Sequence, residues 1–205
     1  RTGLITKAQS GFFTVHSESG PVVCTLRGQL QEKRLDTDLA ALGDWVTFLR
    51  QSDGTGVIHS VAPRTRVLAR RAPRGHSRRA PAYRDRPVEQ ILVANPHQAI
   101  FVFSCAQPAP NLRMLDRFLV TACANEIPAL ICANKIDLVG RADAAALFGL
   151  YEKIGYRVEY TSALHGNGVQ RLRARFRGKL SVLAGPSGVG KSTLLNAIQP
   201  GLGLA

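Results

Sequence analysis

The nine residues Gly185-Pro186-Ser187-Gly188-Val189-Gly190-Lys191-Ser192-Thr193 constrain this chain more than any other stretch. An apolar run, Leu180 to Leu183, precedes them, and Leu194, Leu195 and Ile198 follow at helical spacing. Strand, glycine-rich turn and helix in that order form a phosphate-binding P-loop. Glycine lets backbone N–H groups turn inward around phosphate without a side-chain clash, and the helix N-terminus adds its positive end. Lys191 is expected to reach the β- and γ-phosphates of a nucleotide, and the Ser192 hydroxyl to ligate Mg²⁺.

Such a loop needs a sheet behind it, and the preceding hundred or so residues supply one. Ala99 to Ser104, Ala129 to Cys132 and Arg157 to Tyr160 read as strands, the first two almost wholly apolar. Between them, Asn111 caps a helix carrying Leu115, Phe118, Leu119 and Ala122 on one face. A second helix runs from about Ala142 to Ile154 and stops at Gly155, and a third spans Val169 to Phe176. Apolar strands alternating with amphipathic helices predict a parallel sheet covered on both faces, with ligands at the strands' carboxyl ends. Asp116-Arg117, inside the first helix, reads as a structural ion pair.

Asn134-Lys135-Ile136-Asp137 follows the second of these strands. A carboxylate only accepts hydrogen bonds, so Asp137 suits the N1–H and N2–H₂ donors of guanine, whereas adenine would leave it unsatisfied. Asn134 is expected to contact the base edge and brace the loop, and the Lys135 stem to cover the ring face. Thr161-Ser162-Ala163 ends the third strand, where backbone N–H groups can donate to guanine O6. GTP and GDP are therefore the expected ligands. The order is unusual, because ordinary GTPases place the P-loop ahead of the two base-recognition motifs. A rotated chain can build the same pocket, since the sheet gathers all three. The DxxG loop and the magnesium-linked threonine would then follow the P-loop, and residues 194–205 contain neither. The chain reads as a fragment, and negligible GTP hydrolysis is expected of residues 1–205 alone.

Residues 1–65 have a different texture. Leu4-Ile5, Phe12 to Val15, Val22 to Leu26, Trp45 to Leu49 and Val57-Ile58 are β-rich runs, with turns expected at Ser19-Gly20-Pro21 and Asp53-Gly54. Five short strands suggest a small closed barrel of the OB type, and an SH3-like barrel fits the same pattern. Between Arg64 and Arg86 stand nine arginines and a single acid, Asp85. With little apolar surface to bury, this stretch reads as a basic linker. The expected division is thus a barrel at 1–65, a linker at 66–89 and an α/β nucleotide domain at 90–205.

The net charge of +13 points to a phosphate-rich partner. Arg64, Arg70, Arg71, Arg78 and Arg79 are the candidate RNA contacts. No apolar run approaches the length of a spanning helix and no signal-peptide pattern opens the chain, so a membrane is not expected. Cys24, Cys105, Cys123 and Cys132 show no CxxC spacing, and His16, His59, His76, His97 and His165 form no spaced cluster. A reducing cytoplasm and a monomer are expected.

Taken together these residues resemble the RsgA family of circularly permuted GTPases of small-ribosomal-subunit biogenesis. In the barrel the likeness rests on Cys24-Thr25-Leu26-Arg27-Gly28, Gly43-Asp44-Trp45-Val46 and Pro63-Arg64 with Leu68 and Arg70. Further along it rests on Ala94-Asn95, Leu115-Asp116-Arg117-Phe118-Leu119, Asn134 to Leu138, Thr161-Ser162-Ala163, the P-loop and the motif order itself. The resemblance implies an OB domain, a permuted GTPase domain and a C-terminal zinc-binding domain whose Zn²⁺ ligands are not in this chain. It also implies GTP hydrolysis stimulated by the small (30S) ribosomal subunit, binding to its rRNA, and a role in its late maturation. An RNA-binding assembly factor that uses nucleotide only as a conformational switch is the alternative. A permuted GTPase acting on the large subunit fits less well, because such proteins generally lack an N-terminal barrel.

Overall fold

Alternation along the first strands decides which side chains fill the N-terminal unit. In the computed structural model, which describes residues 1–28, 39–71 and 89–204, β1 (Thr2–Gln9), β2 (Phe12–Ser17), β3 (Gly20–Leu26), β4 (Trp45–Arg50) and β5 (Gly56–Val61) close into a barrel of order β1-β2-β3-β5-β4. Inward-facing Ile5, Phe13, Val15, Val22, Cys24, Val46, Phe48 and Ile58 form its core. Phe12 and Trp45, one residue out of phase with Phe13 and Val46, stand more than half exposed. All sequential contacts are antiparallel, but β3 runs parallel to β5 and β4 returns to pair with β1. That closure is the OB arrangement, and it removes the SH3-like alternative. Cys24 lies opposite Gly56 where β3 meets β5, and a Cβ on Gly56 would stand 2.6 Å from Cys24 Sγ, so the barrel closes only over a glycine. The hairpin expected at Asp53-Gly54 is present between β4 and β5, with Gly54 at φ 87°.

The first unit continues beyond the barrel to Asn95. β6 (Val67–Arg71) pairs antiparallel with β7 (Glu89–Ala94), and Ile91 and Ala94 pack with Ala41 and Val67. The segment expected to be linker from residue 66 therefore begins as a strand. Its three apolar residues, Val67-Leu68-Ala69, pair with Ala94, Val93 and Ile91, which the arginine density around them obscures. Asn95 ends this unit at φ 52°, its side-chain oxygen accepting from Thr65 N at 2.8 Å. The division after Asn95 lies past the boundary expected near residue 90.

The second unit, Pro96–Ala205, is a parallel sheet of order β10-β9-β8-β11, built from β8 (Gln98–Ser104), β9 (Ala129–Asn134), β10 (Arg157–Tyr160) and β11 (Ser181–Ala184). Helices α1 (Leu112–Ala124), α2 (Arg141–Lys153) and α3 (Val169–Phe176) connect the strands, and α4 (Lys191–Ile198) follows β11. Every residue of β8 is buried, and its side chains divide by alternation. Ile100 and Val102 join Leu130, Cys132, Val169, Leu172, Leu194 and Ile198 on one face. Phe101 and Phe103 meet the ring of Phe118 from α1 on the other, at 5.3 and 6.2 Å between centroids. Both faces are covered, as the apolar strands require. The Asn111 cap forms as expected, its side-chain oxygen accepting from Met114 N at 3.0 Å. Asp116 is not paired with Arg117; it accepts from the Tyr151 hydroxyl of α2 at 2.8 Å, which together with burial pushes the phenol pKa up.

The sheet grows from β8 through β9 to β10 and then returns to place β11 on the other side of β8. A crevice opens at the carboxyl ends of strands where the order reverses in this way.

Candidate nucleotide-binding site

All three sequence motifs lie at that end of the sheet. Gly185 leaves β11 so close to β8 that a Cβ would stand 2.1 Å from the Val102 carbonyl oxygen. Pro186 and the exposed Ser187 form the crest of the loop. Val189 is buried among Ile100, Val102 and Leu194 and anchors its far side. Gly188 and Gly190 take φ of 76° and 92°, left-handed values that place successive N–H groups toward the loop's interior. Leu194 N bonds back to Gly190 O, so the N–H groups of Lys191, Ser192 and Thr193 open α4 without acceptors in their own helix. Lys191 Nζ sits inside the loop, bonded to the carbonyls of Gly185 (3.0 Å) and Pro186 (2.5 Å).

Asn134 holds the loops together. Its side chain is 1% exposed; Nδ2 donates to Val189 O at 2.9 Å, while Oδ1 accepts from Thr161 Oγ1 at 3.0 Å and Ala163 N at 3.2 Å. One amide thus links the base motif, the P-loop and the Thr161-Ser162-Ala163 segment. A Cβ on Gly190 would stand 2.6 Å from Nδ2, so this approach also needs glycine. The hydrogen bonds of Asn134 brace these loops, the second of the two roles expected of it. Ser162 is buried, donates its N–H to Asn167 O and accepts His165 N on Oγ, which fixes the turn that carries Ala163.

Lys135 adopts a left-handed conformation (φ 62°), and its ammonium bridges the carbonyls of Gly188, at 2.7 Å, and Gln107. Its alkyl stem therefore spans from the base motif to the P-loop. Asp137 is exposed in the short 3-10 turn Ile136–Leu138, which Ile136 N ties to Thr161 O at 3.2 Å. Its carboxylate is near enough to the Cys105 thiol to help burial push that pKa up to about 11, with Arg141 opposing. The Arg141 guanidinium lies 3.5 Å over the Tyr160 ring, and the Tyr160 hydroxyl donates to Glu152, which together with burial raises its pKa to about 12.

Gln107, Cys105 and Arg141 are neighbours of the site that the motifs did not announce. The Asn111 cap was the available signal: a helix starting there leaves residues 105–110 at the carboxyl end of β8, beside Asn134. Ser104 Oγ, donating to Pro108 O at 2.6 Å, holds that segment in place.

The donor set suits a nucleotide. The first turn of α4 and the Lys191 ammonium supply positive potential where phosphates would lie, and Asp137 supplies acceptors at the other end. Mg²⁺ keeps most of its shell as water and phosphate oxygens, so the single Ser192 hydroxyl beside Lys191 is an adequate protein ligand. Among the described residues no group of three or more His, Cys, Asp or Glu could hold a metal ion.

The RNA candidates are less uniform. Arg64 donates Nε and Nη2 to the fully buried Asp44 at 2.8 and 2.7 Å, and Asp44 also accepts Ala41 N. Arg70 and Arg71 end β6, and Arg78 and Arg79 lie outside the described residues.

Comparison with known proteins follows the same two-part order. The RsgA N-terminal domain family matches residues 2–58 and the RsgA GTPase family residues 61–205. A small ribosomal subunit biogenesis GTPase RsgA of Gemmatimonas aurantiaca is 42% identical over 99% of this chain and 64% of its own length. That of Alkaliphilus metalliredigens is 41% identical over 97% of this chain and 61% of its own. The chain therefore spans less than two thirds of these relatives. Crystal structures of YjeQ from Thermotoga maritima and of YloQ, a circularly permuted GTPase, are each 34% identical to it. They superpose with TM-scores of 0.75 and 0.71, covering 98% and 97% of this chain and 66% and 64% of theirs. The second of these structures is described as a circularly permuted GTPase, and with a family match across residues 61–205 this chain belongs to the RsgA GTPase family.

Proposed function

We propose that this chain binds GTP and GDP with Mg²⁺, as part of a protein that hydrolyses GTP on the small ribosomal subunit during its late maturation and contacts its rRNA. The observation that carries the nucleotide reading is the Asn134 side chain, which joins Val189 of the P-loop to Thr161 and Ala163 through three hydrogen bonds. Such a junction has a use when one ligand touches all three segments.

In this reading Gly185 to Thr193 cradle the phosphates, Lys191 neutralises their charge and Ser192 ligates Mg²⁺. Asp137 accepts from guanine N1–H and N2–H₂, the Lys135 stem covers the ring, and the Ala163 N–H exchanges its Asn134 Oδ1 acceptor for O6 when the base enters. Arg70, Arg71, Arg78 and Arg79 meet rRNA phosphates; Arg64 is tied to Asp44 and acts mainly by holding the chain that leads to them. The small-subunit partner is taken from the names of the relatives. The zinc of the family is assigned beyond residues 1–205, the protein to the cytoplasm, and its working state to a monomer. Among the described residues no helix is long and apolar enough to cross a membrane.

Calorimetric titration of the chain with GDP and ADP, each with Mg²⁺, tests the proposal. GDP should bind and ADP should bind far more weakly; equal affinities would remove the base-recognition argument.

A further inference from the structure

The opposite end of the same sheet carries a concentration of charge that nucleotide binding does not use. Between residues 157 and 179 stand Arg157, Arg171, Arg173, Arg175, Arg177 and Lys179 against one acid, Glu159. Glu159 lies on β10 beside Cys132, on the face that α3 covers, and is 6% exposed. It accepts from Arg175 Nε at 3.0 Å, with Arg171 Nε at 3.6 Å, so one carboxylate serves two guanidiniums. Gln98, opening β8, binds this corner to the next strand. Its Nε2 donates to the Arg175 carbonyl at 2.7 Å, and its Oε1 accepts from Lys179 Nζ at 3.4 Å. Arg157 is the first residue of β10, two before Glu159 and so on the same face. Arg157, Arg177 and Lys179 thus lie toward the amino ends of the strands from β10 to β11, a width of about 14 Å for three strand spacings, and Arg171, Arg173 and Arg175 lie along the helix that connects those two strands.

Helix-dipole compensation does not account for this density. A helix C-terminus presents about half a negative charge, which one arginine offsets. α3 is eight residues long and carries three arginines, with Arg177 just past its end. Like charges so placed oppose the fold. Arg157, Arg171, Arg173 and Arg177 are exposed, Arg171 with 69% of its side chain accessible. Guanidinium groups match phosphate oxygens in bidentate geometry, and five of these six cations are arginines.

We infer that the amino-end edge of the second unit, formed by Arg157, Arg173, Arg177 and their neighbours, is a docking surface for the phosphate backbone of RNA, separate from the arginine-rich segment of the first unit. Because the P-loop and base motifs occupy the strands' carboxyl ends, RNA and nucleotide can be held at once. The inference takes its partner class from the rRNA part of the proposed function and does not depend on the nucleotide part.

The test is the triple variant Arg157→Gln, Arg173→Gln, Arg177→Gln in the whole chain. It leaves the Glu159 pairs and the nucleotide site untouched. Fluorescence anisotropy with a labelled RNA duplex, across about 50 to 200 mM salt, should show a salt slope shallower by roughly 2 and an affinity at least tenfold weaker at the low end. A triple Arg→Lys variant should keep the slope. GDP affinity should be unchanged, and a parent chain that fails to bind GDP would count against the nucleotide reading alone. An unchanged slope in the Gln variant overturns the inference. So does a loss seen only with phosphatidylserine vesicles while RNA binding persists.

Discussion

Asn134 Nδ2 donates to the Val189 carbonyl across 2.9 Å of buried space, fastening a residue of β9 to a loop more than fifty positions later in the chain. Replacing Asn134 by Ala would leave Val189 O and the Thr161 hydroxyl without this partner. Buried polar groups orphaned in this way cost about 1–3 kcal/mol. Urea unfolding of Asn134→Ala should show a loss in that range, and calorimetry a fall in GDP affinity of more than about tenfold. Unaltered GDP binding in a destabilised variant would mean that the junction serves the fold alone.

Asp137 is exposed and its substitution should be nearly silent in stability. Asp137→Asn replaces one acceptor by a donor, which faces the base with the wrong polarity for guanine and the right one for the C2 carbonyl of xanthine. GDP should weaken and XDP strengthen. Lys191→Ala should instead weaken both, since it removes charge-assisted contacts common to every base. Competition titrations with the two nucleotides separate these outcomes.

Arg64→Ala should damage the first unit. It strands the Asp44 carboxylate, fully buried and otherwise bonded to Ala41 N. Removing one partner of a buried pair typically costs about 3–5 kcal/mol, and the low end applies because the Arg64 side chain is 16% exposed. A small loss in thermal unfolding would show that water replaces the guanidinium.

Replacing Arg70, Arg71, Arg78 and Arg79 together by Ala should behave differently. Filter binding of small subunits across salt should give a flatter slope, each lost phosphate contact removing one released counterion, while GDP affinity holds. A slope equal to the parent's would leave these arginines as solvated surface.

The thiols make a pH prediction. Cys123 is exposed, whereas Cys24, Cys105 and Cys132 are buried. Burial raises the Cys105 pKa from 9.0 to about 11 and that of Cys132 to about 12. The fold favours their neutral forms. Their contribution is complete below pH 9 and is lost as pH rises through the folded values. The thiols' share of stability should therefore be flat below pH 9 and decline toward pH 12, and alkylation at pH 8 should label Cys123 first. Early labelling of Cys105 would mean that the segment after β8 opens readily.

What could be read from residues alone was local or periodic. Val169 to Phe176 emerges as a helix because Val169 and Leu172 repeat at one face, and Asn111 marks its helix start through its own side chain. The motifs fell at strand ends because apolar runs of four to seven residues bounded by Gly, Asn or Thr have few other readings. Partners chosen across the sheet were not legible. Nothing near Asp116 in sequence points to Tyr151, and nothing near Lys135 points to the Gln107 carbonyl. β6 is not legible locally because its partner β7 lies some twenty residues further on, past a run of arginines.

The strand order also sets a schedule. β8, β9 and β10 are neighbours in both sequence and sheet, whereas β11 pairs with β8 in a register that joins Ser181 to Gln98. Closing so long a loop costs entropy before any contact repays it, so the edge carrying the P-loop is expected to dock after β8, β9 and β10 have paired. As the polypeptide leaves the ribosome, the segment proposed to choose guanine is threaded out first, and the one proposed to grip phosphate follows it. A nucleotide already waiting at the unfinished pocket would favour the docked edge by mass action. In the proposed site, the part completed last would be the phosphate loop, which ordinary GTPases place first in the chain.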